Sequence, residues 1–441
     1  MPSGTQVTVQ LVQSGNSADV VLVETTPAAN GAANGPVRGG FVTPGLTPNQ
    51  LSVATALNQV LAADTPASQA LLTALLHASP AILPQAFDQL SGEVHASTAT
   101  AAFEDALLPE GAILDRLNQP VSTPALGSTS TLTGAYAADL PWRPALAPVT
   151  ASFYEPRVFD LWGQGFGEWG HVSSDGNAAA LLRSTGGFVL GGDISTRGFL
   201  GGDWRLGLAG GYTNDRISVS ERLSNATFES VFGGVYAGAS FGSLQLRAGA
   251  LYGTNTTSTN RQVIFPGFSD ALSSSNGGYT AQAFAEAGYR VELANARFGF
   301  LSHASIEPFA GAGAMLIHQN GFTEGGGATA LTGFGRDFDI QTTTLGVRSE
   351  LAFGSLPVKI ATMLGWRHAY GDVVPSVLLG FQGGAQAFSA SGVPIDRDAF
   401  VAEAGMSYAV SSSVSVGVSY SGQFGQRATD NAFKGRLDWS F

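Results

Sequence analysis

The sequence contains no cysteine and few charged residues, and both absences narrow what the chain can be. Without cysteine there is neither a disulfide framework nor a thiolate metal site. Charged residues make up only 12% of the chain, whereas glycine occurs 58 times. This composition is unusual for a soluble globular protein. A sheet that faces lipid explains it, because lipid tolerates charged side chains on one face only.

Long apolar runs and basic clusters are also absent. No stretch approaches ~18 consecutive apolar residues, so the sequence predicts no transmembrane helix. The formal net charge is −12 and no basic cluster occurs, which argues against a nucleic-acid partner. The first ten residues have neither a basic region nor an apolar core, so no signal peptide is visible. If the protein is exported, we expect that the chain has lost its start.

Sequence motifs for cofactor binding, metal binding or catalysis are scarce as well. Gly165, Gly167 and Gly170 match GxGxxG, but no helix is predicted to follow, so a dinucleotide site is not expected. The six histidines show no metal-ligand spacing. No nucleophile elbow is predicted either, because the GxSxG match at 238–242 ends in a turn between two predicted strands and not at the start of a helix. We therefore expect no catalytic residue, no metal and no cofactor.

The last twelve residues, 430–441, show what the chain does contain. Leu437, Trp439 and Phe441 fall on one face of a period-2 pattern, and Lys434 and Arg436 fall on the other. In a soluble sheet the polar face would meet water. In a transmembrane barrel the apolar face meets lipid and the polar face meets the lumen. The stretch alone is compatible with either structure.

The same alternation repeats from residue 158 onward and favours the membrane barrel. Many of the predicted strands have about ten residues or more, which suits tilted spanning strands. Short turns alternate with long connections, such as 215–227 and 257–279, as in outer-membrane barrels. The strand-like stretch 377–389 is assigned to a long loop, because a thirteenth strand would put a short turn at the wrong end. The twelve predicted strands are 159–171, 186–197, 202–214, 228–241, 243–256, 280–293, 297–318, 338–353, 357–370, 398–410, 413–425 and 431–441.

Charged residues on the polar faces of these strands have both signs. A lumen of mixed sign suits a polar plug better than a selective pore. The predicted lumen-facing charges are Arg205, Arg247, Glu286, Arg290, Arg348, Glu350, Arg367 and Glu403.

Residues 47–118 show a helical period instead. Thr47–Gln50 has a capping-box pattern, and Thr65-Pro66 and Ser79-Pro80 are predicted to open two further helices. The last helical stretch is predicted to run roughly from Pro84 to Asn118. Its part from Gly92 to Asn118, if continuous, would span roughly 40 Å, enough to cross a membrane-sized barrel. For the helices alone, a soluble bundle is the alternative. The helix residues predicted to meet the lumen charges are Glu104, Asp105, Asp115 and Arg116.

Taken in this order, several short stretches resemble the monomeric autotransporters (type V secretion) of Gram-negative bacteria. Each match is weak alone, and the series is specific. The resemblance covers roughly residues 47–441. The stretches are TPNQLSVA at 47–54, LSGEVHAS at 90–97, DRL at 115–117, LWGQGFG at 161–167, WRLG at 204–207 with GY at 211–212, GFTE at 321–324, GWRH at 365–368 and the terminal Phe441.

This resemblance implies an all-β fold, a twelve-stranded antiparallel outer-membrane β-barrel whose lumen is threaded by an N-terminal α-helical segment. It implies four parts: the end of a β-helical passenger and linker (1–40), a helical linker region (41–118), a linker rich in Pro, Ala, Ser and Thr (119–157) and the barrel (158–441). The implied function is a translocator that supports secretion and surface anchoring of its own passenger, without catalysis by the barrel.

The resemblance also implies the location and the partners. The protein is expected in the bacterial outer membrane as a monomer, and its partners are lipid, its own passenger, the assembly machinery and periplasmic chaperones. The implied C-terminal assembly signal comprises Lys434, Leu437, Trp439 and Phe441. The match is imperfect, because Arg436 stands where the family has glycine.

Two other functions stay open on the sequence. An outer-membrane enzyme of the lipase or protease type would need a nucleophile–base pair in the loops, and none is evident. A simple porin would conduct freely and would need no helix in 47–118.

Overall fold

The alternating strands from residue 158 onward close into a cylinder in the computed structural model of the protein. The structure describes residues 6–14, 17–25, 40–63, 68–119, 158–293, 301–354, 356–382 and 386–441. In chain order the strands are β1 (Gln6–Ser14), β2 (Ser17–Thr25), β3 (Val158–Val172), β4 (Leu181–Phe199), β5 (Gly202–Val219), β6 (Ser224–Phe241), β7 (Leu244–Phe265), β8 (Phe268–Tyr289), β9 (Val291–Glu292), β10 (Leu301–Gln319), β11 (Phe322–Thr323), β12 (Leu331–Gly333), β13 (Arg336–Phe353), β14 (Val358–Gly371), β15 (Ser376–Phe381), β16 (Ala387–Ser391), β17 (Asp398–Ala409), β18 (Val414–Gly425) and β19 (Ala428–Ser440).

Twelve of the described strands form the barrel wall in chain order: β3 to β8, β10, β13, β14 and β17 to β19. The two-residue β9 pairs with β10 beyond the end of β8. The wall closes where β19 pairs antiparallel with β3, from Ala428 opposite Val172 to Ser440 opposite Asp160. A closed wall satisfies the backbone hydrogen bonds that lipid cannot supply. The prediction of a twelve-stranded antiparallel barrel is confirmed.

The outer face of this wall is apolar. Leu208 is 65% exposed and Val418 is 61% exposed, and such side chains recur along the wall strands. Arg205 is buried, although its neighbour Leu206 is exposed, so its side chain points to the interior. The outward side chains therefore meet lipid, and the polar residues between them line the lumen.

Strands β5 to β8 are longer than the sequence predicted. The connections predicted at 215–227 and 257–279 are largely strand, since β7 extends to Phe265 and β8 begins at Phe268. Their backbones stay paired throughout this extension. Ser, Thr and Asn are frequent there, so the apolar period that marks a lipid-facing strand disappears although the ladder continues. Those two predicted loops are wrong for this reason.

The stretch 377–389 is a hairpin outside the barrel wall, as predicted. It contains β15 and the start of β16, which join β11 and β12 in a small four-stranded sheet at the long-loop end. The hairpin β1–β2 pairs antiparallel in register from Gln6 opposite Thr25.

Four α-helices occur in the described residues: α1 (Pro48–Ala63), α2 (Gln69–His77), α3 (Leu83–Leu90) and α4 (Val94–Leu117). None of them is both long and apolar enough to cross a membrane. The predicted capping box is present, because Thr47 N donates to Gln50 Oε1 at 2.9 Å and Gln50 N donates to Thr47 Oγ1 at 3.3 Å. The predicted start at Ser79-Pro80 is wrong, because α3 begins four residues later, at Leu83, with Pro84 in its first turn. The helix predicted from Pro84 to Asn118 is interrupted at 91–93, between α3 and α4. Thr65-Pro66 lies outside the described residues.

Helices α1 to α3 and the small sheet β11, β12, β15 and β16 form a cap over the long-loop end of the barrel. One apolar cluster joins Leu57 and Phe87 of the helices to Leu331 and Leu379 of the sheet. Helix α4 leaves this cap and enters the lumen. The break between α3 and α4 requires Gly92, whose φ is +63° and whose added Cβ would lie 2.5 Å from Leu331 Cδ1.

We expect the protein to stay folded only in detergent or lipid, because the outward face of the closed sheet is apolar. Unheated protein in detergent should migrate differently on a gel from boiled protein, and its β-type circular dichroism should disappear on boiling. A protein that is folded and soluble without detergent, or one whose mobility does not depend on heating, would contradict the barrel.

Candidate functional site: the helix in the lumen

Helix α4 runs through the lumen from the long-loop end to the short-turn end. Near its start, Thr100 Oγ1 donates to Val393 O at 2.6 Å, in the connection before β17. At its end, Arg116 pairs with Asp160, three residues into β3 on the short-turn side. The helix is buried along almost its whole length. The lumen is therefore plugged by a segment that precedes the barrel in the chain.

The second half of α4 packs on one side of the wall through an apolar contact. The sequence predicted a polar lumen, so this contact is a correction. The helix side chains in it are Leu108, Ala112, Ile113 and Leu117, and the wall side chains are Trp162, Phe166, Val189, Ala209, Phe232, Tyr236, Leu251 and Phe284.

A local sequence signal marks this contact. Phe284 is buried in the lumen, whereas Ala283 and Ala285 beside it face outward. The usual order of a lipid-facing strand is thus reversed, with the large side chain inside. Leu108, Ala112 and Ile113 recur at helical spacing on the facing helix.

At the short-turn end, Arg116 contacts three carboxylates. Its Nη2 lies 2.7 Å from Asp160 Oδ2, its Nε lies 2.7 Å from Asp193 Oδ2, and its Nη1 lies 3.3 Å from Asp438 Oδ1. Arg116 is 1% exposed. Breaking a buried ion pair by removing one partner is strongly destabilising, by about 3–5 kcal/mol. These four residues, the Arg116 cluster, therefore fix the end of the helix.

Arg205 holds the same end of α4 from the wall. Its Nη1 donates to Arg116 O at 2.8 Å and to Gln119 O at 3.1 Å. Carbonyl groups at a helix C-terminus carry partial negative charge, so a cation is favourable there. Arg205 Nε also lies 3.2 Å from Asp193 Oδ1. The other oxygen of this carboxylate, Asp193 Oδ2, accepts a hydrogen bond from Tyr236 OH at 2.7 Å.

Asp115 pairs with the opposite part of the wall. Lys434 Nζ lies 3.2 Å from Asp115 Oδ2 and 3.1 Å from Glu403 Oε2. Lys434, predicted as part of an assembly signal, thus points into the lumen. The other predicted members, Leu437, Trp439 and Phe441, are exposed on the outer face.

In the middle of α4, two carboxylates contact the wall. Glu104 accepts from Gln423 Nε2 at 3.1 Å and lies 3.8 Å from Arg367 Nη2. Asp105 accepts from Thr213 Oγ1 at 2.7 Å. The four predicted pore-helix residues are therefore all in contact with the wall.

Arg183 was not singled out in the sequence, although it lies at the level of Glu104 and Asp105 in the lumen. It pairs with Glu168 at 2.8 Å, Asp215 at 3.1 Å and Asp430 at 3.4 Å. The predicted strand began at residue 186, so Arg183 lay in a predicted connection, whereas in the structure it belongs to β4. Its three partners come from three different strands, so their meeting depends on register.

Several predicted lumen charges pair with each other on the wall and do not reach the helix. Arg247 Nη1 lies 2.9 Å from Glu286 Oε1 and 2.6 Å from Glu307 Oε1. Arg290 Nε lies 3.0 Å from Glu307 Oε2, and Arg348 also pairs with Glu286.

A cavity of about 580 Å³ remains between α4 and the opposite wall at the short-turn end. Asp115, Lys434 and Glu403 line it, and Glu350 pairs with Lys359 at 3.2 Å along the same lining. The cavity exists because the apolar contact draws the helix to one side. Among the described residues, no group of three or more His, Asp or Glu is arranged to hold a metal ion.

At the other end, Glu324 of the cap ties the start of α4 to the wall. Arg261 Nη2 lies 2.7 Å from Glu324 Oε2, and His95 Nε2 lies 2.8 Å from Glu324 Oε1. Burial disfavours the ionised carboxylate, but Arg261 and His95 outweigh this effect and lower the pKa of Glu324 to about 2. Glu324 lies in the connection between β10 and β13, outside the spanning strands.

This depressed pKa predicts an acid-sensitive cap. The stabilisation by Glu324 is complete above the ordinary pKa of 4.5 and is lost as the pH falls toward about 2. Pepsin digestion of helices α1 to α3 should therefore increase across this window. Glu324→Gln should make cleavage high and less dependent on pH there. Glu350→Gln, which changes a carboxylate at the other end of the lumen, is the control. Identical pH profiles for Glu324→Gln and the unmodified protein would contradict the role of Glu324.

Comparisons with known proteins agree with this geometry. The family model described as "Autotransporter beta-domain" matches residues 161–421. Two sequences named extracellular serine protease from Serratia marcescens are 30% identical over 362 residues and 29% identical over 361 residues. Each match covers 81% of this chain and 31% of the relative, so the chain spans about a third of the length of these curated relatives.

A solved structure shows the same fold. The translocator domain of autotransporter NalP from Neisseria meningitidis superposes with a TM-score of 0.55 at 13% identity. The match covers 78% of this chain and 98% of that domain. At this identity the likeness concerns the fold alone.

Proposed function

Since this chain belongs to the autotransporter family and its barrel is an outer-membrane translocator, we propose that the barrel supports export of its own N-terminal passenger and then anchors it through α4. The direction of α4 carries this proposal. In outer-membrane barrels the short turns face the periplasm and the long loops face the exterior. Helix α4 starts at the long-loop end, so the chain that precedes it, including the cap, lies outside the cell.

In this proposal the four parts of the chain have separate roles. Residues 1–40 are the end of the passenger and a linker, and 41–118 form the helical linker that supplies the cap and the plug. Residues 119–157 connect the plug to the barrel, 158–441. The paired strands β1 and β2 are compatible with the end of a larger β-structure, because two strands alone are marginal in stability.

The helix also distinguishes this function from a simple porin. A porin leaves an aqueous channel, whereas α4 is held here by the apolar contact, the Arg116 cluster and the Asp115–Lys434 pair. Once seated, the helix closes the route that the passenger has used. The anchored passenger then stays joined to the membrane through α4.

We further propose that the outward Leu437, Trp439 and Phe441 are recognised by the outer-membrane assembly machinery after periplasmic chaperones deliver the chain, and that the barrel acts as a monomer. All three side chains remain exposed on the lipid face. Lys434 has a different role in the folded barrel, since it pairs with Asp115 and Glu403 inside the lumen.

The translocator barrel is non-catalytic, and we propose that the remainder of this chain performs no reaction either. The Serratia relatives are named extracellular serine proteases, but the match covers only about a third of their length. A comparable activity in a whole protein of this kind would belong to the passenger.

Surface labelling of intact cells tests the proposed orientation. A short epitope is inserted at Gly45, in an exposed turn where an added Cβ meets nothing within 4 Å, or as a matched control after Gly242, in a short turn of the barrel. We expect antibody to bind the Gly45 epitope on intact cells and the Gly242 epitope only after permeabilisation. The reverse pattern, or equal labelling of both epitopes on intact cells, would contradict the proposed function.

A further inference from the structure

The seam between β3 and β19 differs from every other strand pair of the wall. Consecutive wall strands are neighbours in the barrel and are tethered by the chain that connects them. Strands β3 and β19 stand at opposite ends of the wall sequence and are held only by non-covalent interactions. In lipid an open seam leaves two rows of backbone groups unsatisfied, at several kcal/mol per group. Whatever holds the seam therefore decides whether the barrel is closed.

The Arg116 cluster crosses this seam from inside the lumen. Asp160 and Asp193 belong to β3 and β4 on one side, and Asp438 belongs to β19 on the other. Asp160 lies opposite Ser440 in the seam register, so the cluster sits near the short-turn end of the seam. The plug thus supplies one cation that contacts carboxylates from both sides.

A second contact follows the same route. Gln119 Oε1 accepts from Arg116 Nη1 at 2.6 Å, and Gln119 Nε2 donates to Asp438 Oδ2 at 3.2 Å. The chain just after α4 therefore continues the bridge to β19. Arg205 also contacts Asp193, and Arg436 also contacts Asp438. Each of these two ion pairs lies on one side of the seam.

We propose that α4 is the lock of the barrel seam: Arg116 binds β3 and β4 to β19, so that seating of the helix and closure of the seam are one coupled event. Coupling is reciprocal, so a closed seam stabilises the seated helix by the same amount that the helix stabilises the seam. If α4 leaves the lumen, three buried carboxylates lose their shared counter-ion. The seam is therefore most stable when the linker has reached its final position.

Amide hydrogen exchange of the full chain in detergent tests this lock. In Arg116→Met, exchange of peptides from β3 and β19 should rise at least about tenfold, because a broken buried ion pair is strongly destabilising. Exchange of β6 and β7 should change much less. Arg247→Met is the matched control: Arg247 is also buried between two carboxylates but lies away from the seam. An equal rise in all strands, or no rise at the seam, would overturn the proposal.

A disulfide across the seam provides a second measurement. Gly165 and Gly435 are partners across the seam, and an added Cβ at either has no neighbour nearer than 4.0 Å. Gly165→Cys with Gly435→Cys should therefore form a staple, and the natural chain offers no competing thiol. The control staple, Ala250→Cys with Ala283→Cys, joins partners on β7 and β8.

The two staples keep the proposal falsifiable even if Arg116→Met assembles poorly. The seam staple should return seam exchange, or the yield of folded Arg116→Met, close to that of the unmodified protein. The control staple should restore neither. Rescue by both staples, or by neither, would overturn the role of Arg116 as a seam lock and would leave the surface-labelling test of orientation unaffected.

Discussion

Lipid offers no hydrogen bonds, and the rest of this structure depends on that constraint. It requires a wall without edges, so the first and last wall strands must meet. It also allows apolar side chains on the outer face and directs the charged residues inward. The lumen then holds charges of both signs that need partners in a confined space. Helix α4 supplies some of those partners through Glu104, Asp115 and Arg116.

Helix α4 is held by apolar packing on one side and by ion pairs at its end. Leu108, Ile113 and Leu117 bury apolar surface against the wall, and this contact sets the side on which the helix lies. Arg116 and Asp115 add ion pairs at the short-turn end. The remaining cavity is the consequence of one-sided packing. A helix held in this way is fixed in its position along the barrel axis and in its rotation about its own axis.

The sequence predicts the wall well and the contacts inside it poorly. Where lipid imposes alternation, as in β3, β14 and β18, the strand ends are predicted to within one residue. Where β7 and β8 leave the membrane, Ser and Thr occur on both faces and the pattern fails. The charges at Asp160 and Asp193 are visible as isolated acids, but their meeting with Arg116 depends on register and on the depth of the helix. Neither the strand register nor the depth of the helix can be read from the periodicity of a single segment.

Cross-linking in intact outer membranes tests the seated helix most directly. An added Cβ at Gly238 lies 2.9 Å from Leu117 Cδ2, so Leu117→Cys with Gly238→Cys should form a disulfide in most molecules. Gly417 lines the cavity, and Leu117→Cys with Gly417→Cys should remain reduced. A disulfide in the first variant and not in the second is the predicted result. Cross-linking to Gly417→Cys, or to neither wall position, would contradict a helix held on one side of the lumen.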